Sequence, residues 1–142
     1  MNVSHIVTRT LITIPAGWTV LDAAKLMLEK NIGLLVIIQG QDSTRVVGVI
    51  SERDIIRTIA SGRTLSVPVD DVCTKRVISV HESSDVAEAA KAMNRNTIRH
   101  VVVVNDKGKP TGVVSMRDLV GERATLTAIL QSNEKEVFHG GD

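Results

Sequence analysis

The sequence is almost without aromatic residues: 142 residues hold one tryptophan, Trp18, one phenylalanine, Phe138, and no tyrosine. Proteins that hold single-stranded nucleic acid stack bases on aromatic faces, so that class loses its main contact. Charge of one sign is lacking too. Seventeen basic residues face 16 acidic ones, and a net charge of +1 offers no bulk attraction to nucleic acid or to an anionic membrane. The strip Arg95, Arg99 and Lys107 is too small to reverse that, so a nucleic-acid partner is not expected. A single cysteine, Cys73, excludes an internal disulfide and any multi-cysteine zinc site, and reads as a small core hydrophobe. No apolar run approaches the roughly 20 residues needed to cross a bilayer. Met1 to Val7 lacks the basic-then-apolar order of a secretion signal. The expected setting is the cytoplasm, away from membranes.

Catalytic signatures are scarce as well. The serines that stand out, Ser51 and Ser115, have no histidine and aspartate at a spacing that reads as a nucleophilic triad. His5, His81, His100 and His139 show no metal-ligand spacing. Neither an enzyme nor a bound metal is expected.

What the chain does have is a repeat. Thr19 to Ile38 reads TVLDAAKLMLEKNIGLLVII, and Asp85 to Val104 reads DVAEAAKAMNRNTIRHVVVV, coinciding at an offset of 66. Further on, Gly48 to Asp54 (GVISERD) returns as Gly112 to Asp118 (GVVSMRD) at an offset of 64. The difference of two falls in one loop, Gln39 to Arg45 against Asn105 to Lys109, where a structural duplication should absorb it. Upstream, Val3, Ile6 and Thr8 echo in Val69, Val72 and Thr74.

Each copy reads β-α-β-β-α. Leu11 to Ile14 and Val77 to Val80 are short strand candidates. Val20, Ala23, Ala24 and Met27 form one helical stripe, repeated by Val86, Ala89, Ala90 and Met93. Thr19 with Asp22, and Asp85 with Glu88, have the spacing of helix caps. Leu34 to Ile38 and Val101 to Val104 are β-branched runs suited to strands covered on both faces. Val46 to Ile50 and Thr111 to Val114 lead into second helices, one over Glu52 to Ala60, the other from Met116 to about Gln131. The fold class is α/β (α+β), with repeats over 1–66 and 67–132, a link containing Pro68, and a polar tail over 133–142. A three-stranded sheet with helices on one face needs cover on the other. Two such units are expected to pack together about a pseudo-twofold axis, with grooves between them.

The motif residues allow two readings. A serine followed three residues later by aspartate can cap its own helix. The same carboxylate can accept from two vicinal hydroxyls, and the hydroxyl with free N–H groups suits a phosphate.

The doubled strand, G-h-h-S-x-x-D and helix, with T-V-x-D-A-A-x-x-M before a valine-rich strand, resembles the cystathionine-β-synthase (CBS) domain pair, or Bateman module. The resemblance runs from about Val3 to Ala124. It implies a regulatory sensor that binds an adenosine-containing ligand (AMP, ADP, ATP, NAD(H) or S-adenosylmethionine) between the repeats. It also implies a homodimer forming a disc of four repeats. The alternative is a ligand-free dimerisation scaffold with vestigial grooves. By the resemblance, Asp118 meets the ribose and Ser115 the phosphate, with Arg99, His100 and Arg117 as basic contacts. Thr8, Thr10, Ile32 and the backbone near Val113 would hold the adenine. The second groove would use Asp54, Ser51 and Arg53, with Arg76, Ile98 and Thr74 across from them. Gly33 and Leu34 stand where the other groove has Arg99 and His100, which makes the Asp118 groove the favoured anion site.

Overall fold

In the computed structural model, residues 1–7, 11–40 and 45–121 are described, together with Thr127, Leu130 and Gln131. The first repeat forms β1 (Thr13–Pro15), α1 (Val20–Lys30), β2 (Leu34–Ile38), β3 (Val46–Ser51) and α2 (Glu52–Ala60). A short helix α3 (Val69–Val72) precedes the second, which forms β4 (Ser79–His81), α4 (Val86–Asn96), β5 (His100–Val104), β6 (Pro110–Ser115) and α5 (Met116–Gly121). A 3-10 turn at Val3–His5 opens the chain at the place that α3 holds 66 residues later.

Local chemistry starts the helices where the cap spacing predicts. The Thr19 N–H donates to Asp22 at 3.0 Å, and the Asp22 N–H donates to the Thr19 hydroxyl at 3.1 Å. Hydrogen bonding of its carboxylate by the Thr19 amide, and next by the Thr19 side chain, holds the Asp22 carboxyl below the usual carboxylate range. Asp85 caps α4 differently, accepting from the Ala87 N–H at 2.9 Å, which lowers its carboxyl in the same way. Both long helices end in a left-handed residue, Asn31 (φ 53°) and Thr97 (φ 54°), whose N–H reaches back to the last turn.

Each sheet has three strands, β1-β2-β3 and β4-β5-β6, with a parallel edge pair and an antiparallel second pair. The two sheets repeat one another in register: Leu34 pairs with Ser51 and His100 with Ser115, and both antiparallel pairs shift register near their far end. The edge strands lie about two residues beyond the apolar runs at Leu11 and Val77. Parallel pairing to Val36–Ile38 and Val102–Val104 sets them, and Leu11 and Val77 pack between the sheets instead.

The buried strands face two ways. Leu35, Ile37 and Ile50 join Ile14, Val20, Ala23 and Met27 beneath the helices of the first repeat. Val101, Val103 and Val114 do the same with Ala89, Met93 and Leu119 in the second. The alternate residues Val36, Val49 and Val102 meet between the sheets. That third layer is why the strands are apolar on both faces.

The leader segments change places. Val3 and Ile6 are buried in the core of the second repeat, and Val69 in that of the first. The same bond anchors each: the Val3 N–H donates to the Ser84 carbonyl at 2.8 Å, and the Val69 N–H to the Trp18 carbonyl at 2.7 Å. Both donor and acceptor are 66 apart, so the two halves are related by the pseudo-twofold that the repeat predicts. The packing units thus exchange the segments 3–7 and 69–73, where the sequence repeats run straight through.

Beyond α3 the chain runs along the free edge of β3. Thr74 and Val49 exchange both backbone hydrogen bonds, at 2.8 and 2.9 Å. Gly48 permits this approach, since a β-carbon there would lie 2.6 Å from the Thr74 carbonyl oxygen. Cys73 packs on the first core, and burial pushes its thiol up, the behaviour of a core hydrophobe.

Candidate functional site

The two motif carboxylates have the same local geometry and different surroundings. In the second repeat, the Ser115 N–H donates to Asp118 at 2.9 Å and the Asp118 N–H donates to the Ser115 hydroxyl at 3.0 Å. This is a capping pair, and it leaves the carboxylate half-buried beside a groove. In the first repeat the same pair forms between Ser51 and Asp54, at 2.9 and 3.2 Å. There the carboxylate is only 4% exposed, and it takes three further side-chain donors. The Ser51 hydroxyl donates at 3.1 Å, Arg57 at 3.2 Å, and the Thr74 hydroxyl straddles both oxygens at 3.2 and 3.3 Å. Position 121, which matches Arg57 at the motif offset, is glycine. The counterpart of Thr74 is Thr8, which with Thr10 lies outside the described residues.

The groove at Asp118 has a volume of about 740 Å³ and brings together residues distant in sequence. One wall is the second repeat: Arg99 and His100 at the start of β5, Val113 and Ser115 on β6, and Arg117 and Asp118 on α5. The facing wall is the first repeat, with Ile12, Met27, Ile32 and Ile55 as its apolar part. Antiparallel pairing places His100 opposite Ser115. The Met116 N–H donates to the Arg99 carbonyl at 2.7 Å and ties the helix start to the strand start. Basic side chains, a hydroxyl, a carboxylate and an apolar wall therefore share one concavity. That composition suits a ligand with an anionic group, a polyol and a flat apolar body.

All seven described members of the expected Asp118 set line this groove: Asp118, Ser115, Arg117, Val113, His100, Arg99 and Ile32. The members of the Asp54 set are placed otherwise. Ser51 and Asp54 bond to each other, Arg53 and Arg76 are exposed, and Ile98 packs against the second core. Sequence reasoning missed the part of the wall given by the first repeat's own second helix, Glu52, Ile55 and Ile56. Their signal was faint: position 52 differs in charge from its match, Met116, and nothing in a linear repeat says that α2 borders the partner's groove.

Among the described residues, no helix is long and apolar enough to cross a membrane. No group of three or more His, Cys, Asp or Glu among them could hold a metal ion.

Comparison with known proteins places the fold and the family. An uncharacterised 17.7 kDa protein of Acidianus ambivalens is 42% identical over 118 residues, 83% of this chain and 70% of that protein. A mitochondrial CBS domain-containing protein of Arabidopsis thaliana is 39% identical over 106 residues, which cover 72% of this chain and 51% of the plant protein. Among solved structures, a CBS domain protein of Pyrobaculum aerophilum complexed with AMP superposes with a TM-score of 0.85 at 35% identity, covering 92% of this chain and 99% of that one. A CBS domain pair complexed with 5′-methylthioadenosine and S-adenosylmethionine superposes at 0.77 with 27% identity, over 85% of this chain and 98% of that pair. The CBS domain matches twice, at residues 3–61 and 69–124, and the chain belongs to the CBS-domain family as a tandem pair of such repeats.

Proposed function

We propose that this protein is a regulatory sensor module, not an enzyme, and that it binds an adenosine-containing ligand in the groove at Asp118. The observation that carries the reading is the convergence of Asp118, Ser115, Arg117, Arg99 and His100 on one groove faced by Ile12, Met27 and Ile32. In this assignment Asp118 accepts from the ribose hydroxyls, Ser115 and the basic groups meet the phosphate, and the adenine lies on the apolar wall beside Val113. AMP, ADP, ATP, NAD(H) and S-adenosylmethionine are the class to test. The solved relatives with AMP and with S-adenosylmethionine support that class. The Asp54 motif, with Ser51, Arg53, Arg76 and Ile98, is the weaker site, because its carboxylate is buried and already accepts from Arg57 and Thr74. Thr8 and Thr10 belong to the adenine side of the Asp118 groove in the same assignment.

A homodimer through the helical face belongs to this proposal. Leu28 on α1 is 86% exposed, and Ile56 and Ile59 on α2 are 64% and 57% exposed. Such apolar side chains on two neighbouring helices suit a protein contact better than water. The same face supports the second reading, a scaffold that dimerises and binds no nucleotide.

A thermal-shift panel separates the two. A ligand at 100 times its Kd stabilises by about 2.7 kcal/mol, a Tm rise of roughly 10 °C for a chain of this size. No shift with any of the five ligands rejects the sensor reading and leaves the scaffold. Gel filtration with light scattering tests the dimer, and a monomer at micromolar concentration rejects it.

A further inference from the structure

The groove holds one charge that the nucleotide reading does not use. Glu52, the first residue of α2, comes from the first repeat, yet it lines the groove among the second repeat's basic residues. Its match in the second repeat is Met116, so the carboxylate is present once per chain. Gly33 shows how closely it approaches. A β-carbon built on Gly33 would lie 3.1 Å from Cε1 and Nε2 of His100 and 3.2 Å from Oε1 of Glu52. Gly33 is not among the positive-φ glycines, so its missing side chain serves space: the imidazole and the carboxylate converge where that side chain would be.

Among the described residues, the charges lining the groove are Arg99, Arg117 and, when protonated, His100, against Glu52 and Asp118. Two guanidiniums face two carboxylates. One phosphate monoester brings about −1.5 to −2 charges. Little positive charge is left over to meet it, so each further phosphate adds negative charge that Glu52 repels. We propose that Glu52 is a specificity-determining residue that makes the groove select by ligand charge, favouring an adenosine monophosphate over the di- and triphosphate. This rests on the nucleotide reading of the Asp118 groove. Across such a groove, one carboxylate changes affinity by about fivefold for each added negative ligand charge.

The test is calorimetric titration of adenosine, AMP, ADP, ATP and S-adenosylmethionine into the full chain, comparing wild type with Glu52→Gln and Glu52→Asp. Glu52→Gln should strengthen binding in the order ATP > ADP > AMP, with a gain of tenfold or more for ATP over adenosine. Adenosine itself should stay within twofold, and the cationic S-adenosylmethionine should weaken. Glu52→Asp keeps the charge and should keep the wild-type order, and high salt should compress the differences. Equal changes for all five ligands, or no change, overturn the inference while leaving the groove a nucleotide site. If wild type binds none of the five, this inference falls, and if NAD(H) also gives no thermal shift the nucleotide reading falls with it.

Discussion

Replacing Asp118 by alanine separates a capping carboxylate from a ligand-binding one. The structural loss is small, because the Asp118 carboxylate accepts only the Ser115 N–H among the bonds described, at 2.9 Å, and the reciprocal bond from the backbone to Ser115 remains. Losing such a cap costs about 1 kcal/mol. The binding loss is large. A carboxylate accepting from two ribose hydroxyls makes two charge-assisted bonds of about 1.5–3 kcal/mol each, so removing both raises Kd by roughly 100-fold or more. At a ligand concentration giving wild type a shift of about 10 °C, the variant should show almost none. Asp54→Ala supplies the contrast. Its carboxylate is buried and also takes the Ser51 hydroxyl, Arg57 and Thr74, so alanine strands donors in the interior and should cost about 3 kcal/mol. Urea denaturation measures both stabilities, and calorimetry measures both affinities. An Asp118→Ala protein that binds within threefold of wild type would refute the ribose assignment.

Three further outcomes follow from the fold. Gly48→Ala should cost about 2–3 kcal/mol in denaturant melts, since its β-carbon would meet the rigid Thr74 carbonyl at 2.6 Å. A cost under about 1 kcal/mol would contradict the picture of a backbone laid against β3. Thr97→Asn should stabilise by about 0.5–1 kcal/mol, because a β-branched residue is strained at φ 54° where the first repeat has Asn31, and a loss of stability would count against strain at that cap. Asp22 and Asp85 are held below the usual carboxylate range by their cap bonds, so their contribution is present above that range and lost as pH falls through it. The double variant Asp22→Asn with Asp85→Asn should therefore lose less stability than wild type between about pH 6 and pH 3, and an unchanged slope would remove the caps as its source.

Most of the groove's second-repeat wall was legible because its residues come from one contiguous stretch. Arg99 to Val114 and the motif at Ser115–Asp118 are joined by a single hairpin, so antiparallel pairing brings His100 to Ser115 without help from the rest of the chain. The facing wall was less legible. Ile32 was expected there, but Glu52, Ile55 and Ile56 reach the groove only through the packing of one repeat on the other. The edge strands were displaced for a related reason. Apolar character at Leu11 and Val77 marks burial between the sheets, while the strand itself is set by pairing with the centre strand.

The sequence by itself determined the β-α-β-β-α order, the duplication and the helix starts, because periodicity, cap spacing and an offset of 66 are properties of neighbouring residues. It also determined that the Asp118 side alone would carry Arg99 and His100. Only the tertiary structure decided that the leader segments cross over, since Val3 and Val69 are equally apolar and nothing local says which core each enters. It alone decided the fate of the two equivalent carboxylates. Arg57 and Thr74 close around Asp54, whereas Asp118 borders an open groove with Glu52 in its opposite wall. The two motifs thus diverge partly because Arg57 is matched by Gly121, and partly because the wall facing Asp118 comes from the other half of the chain.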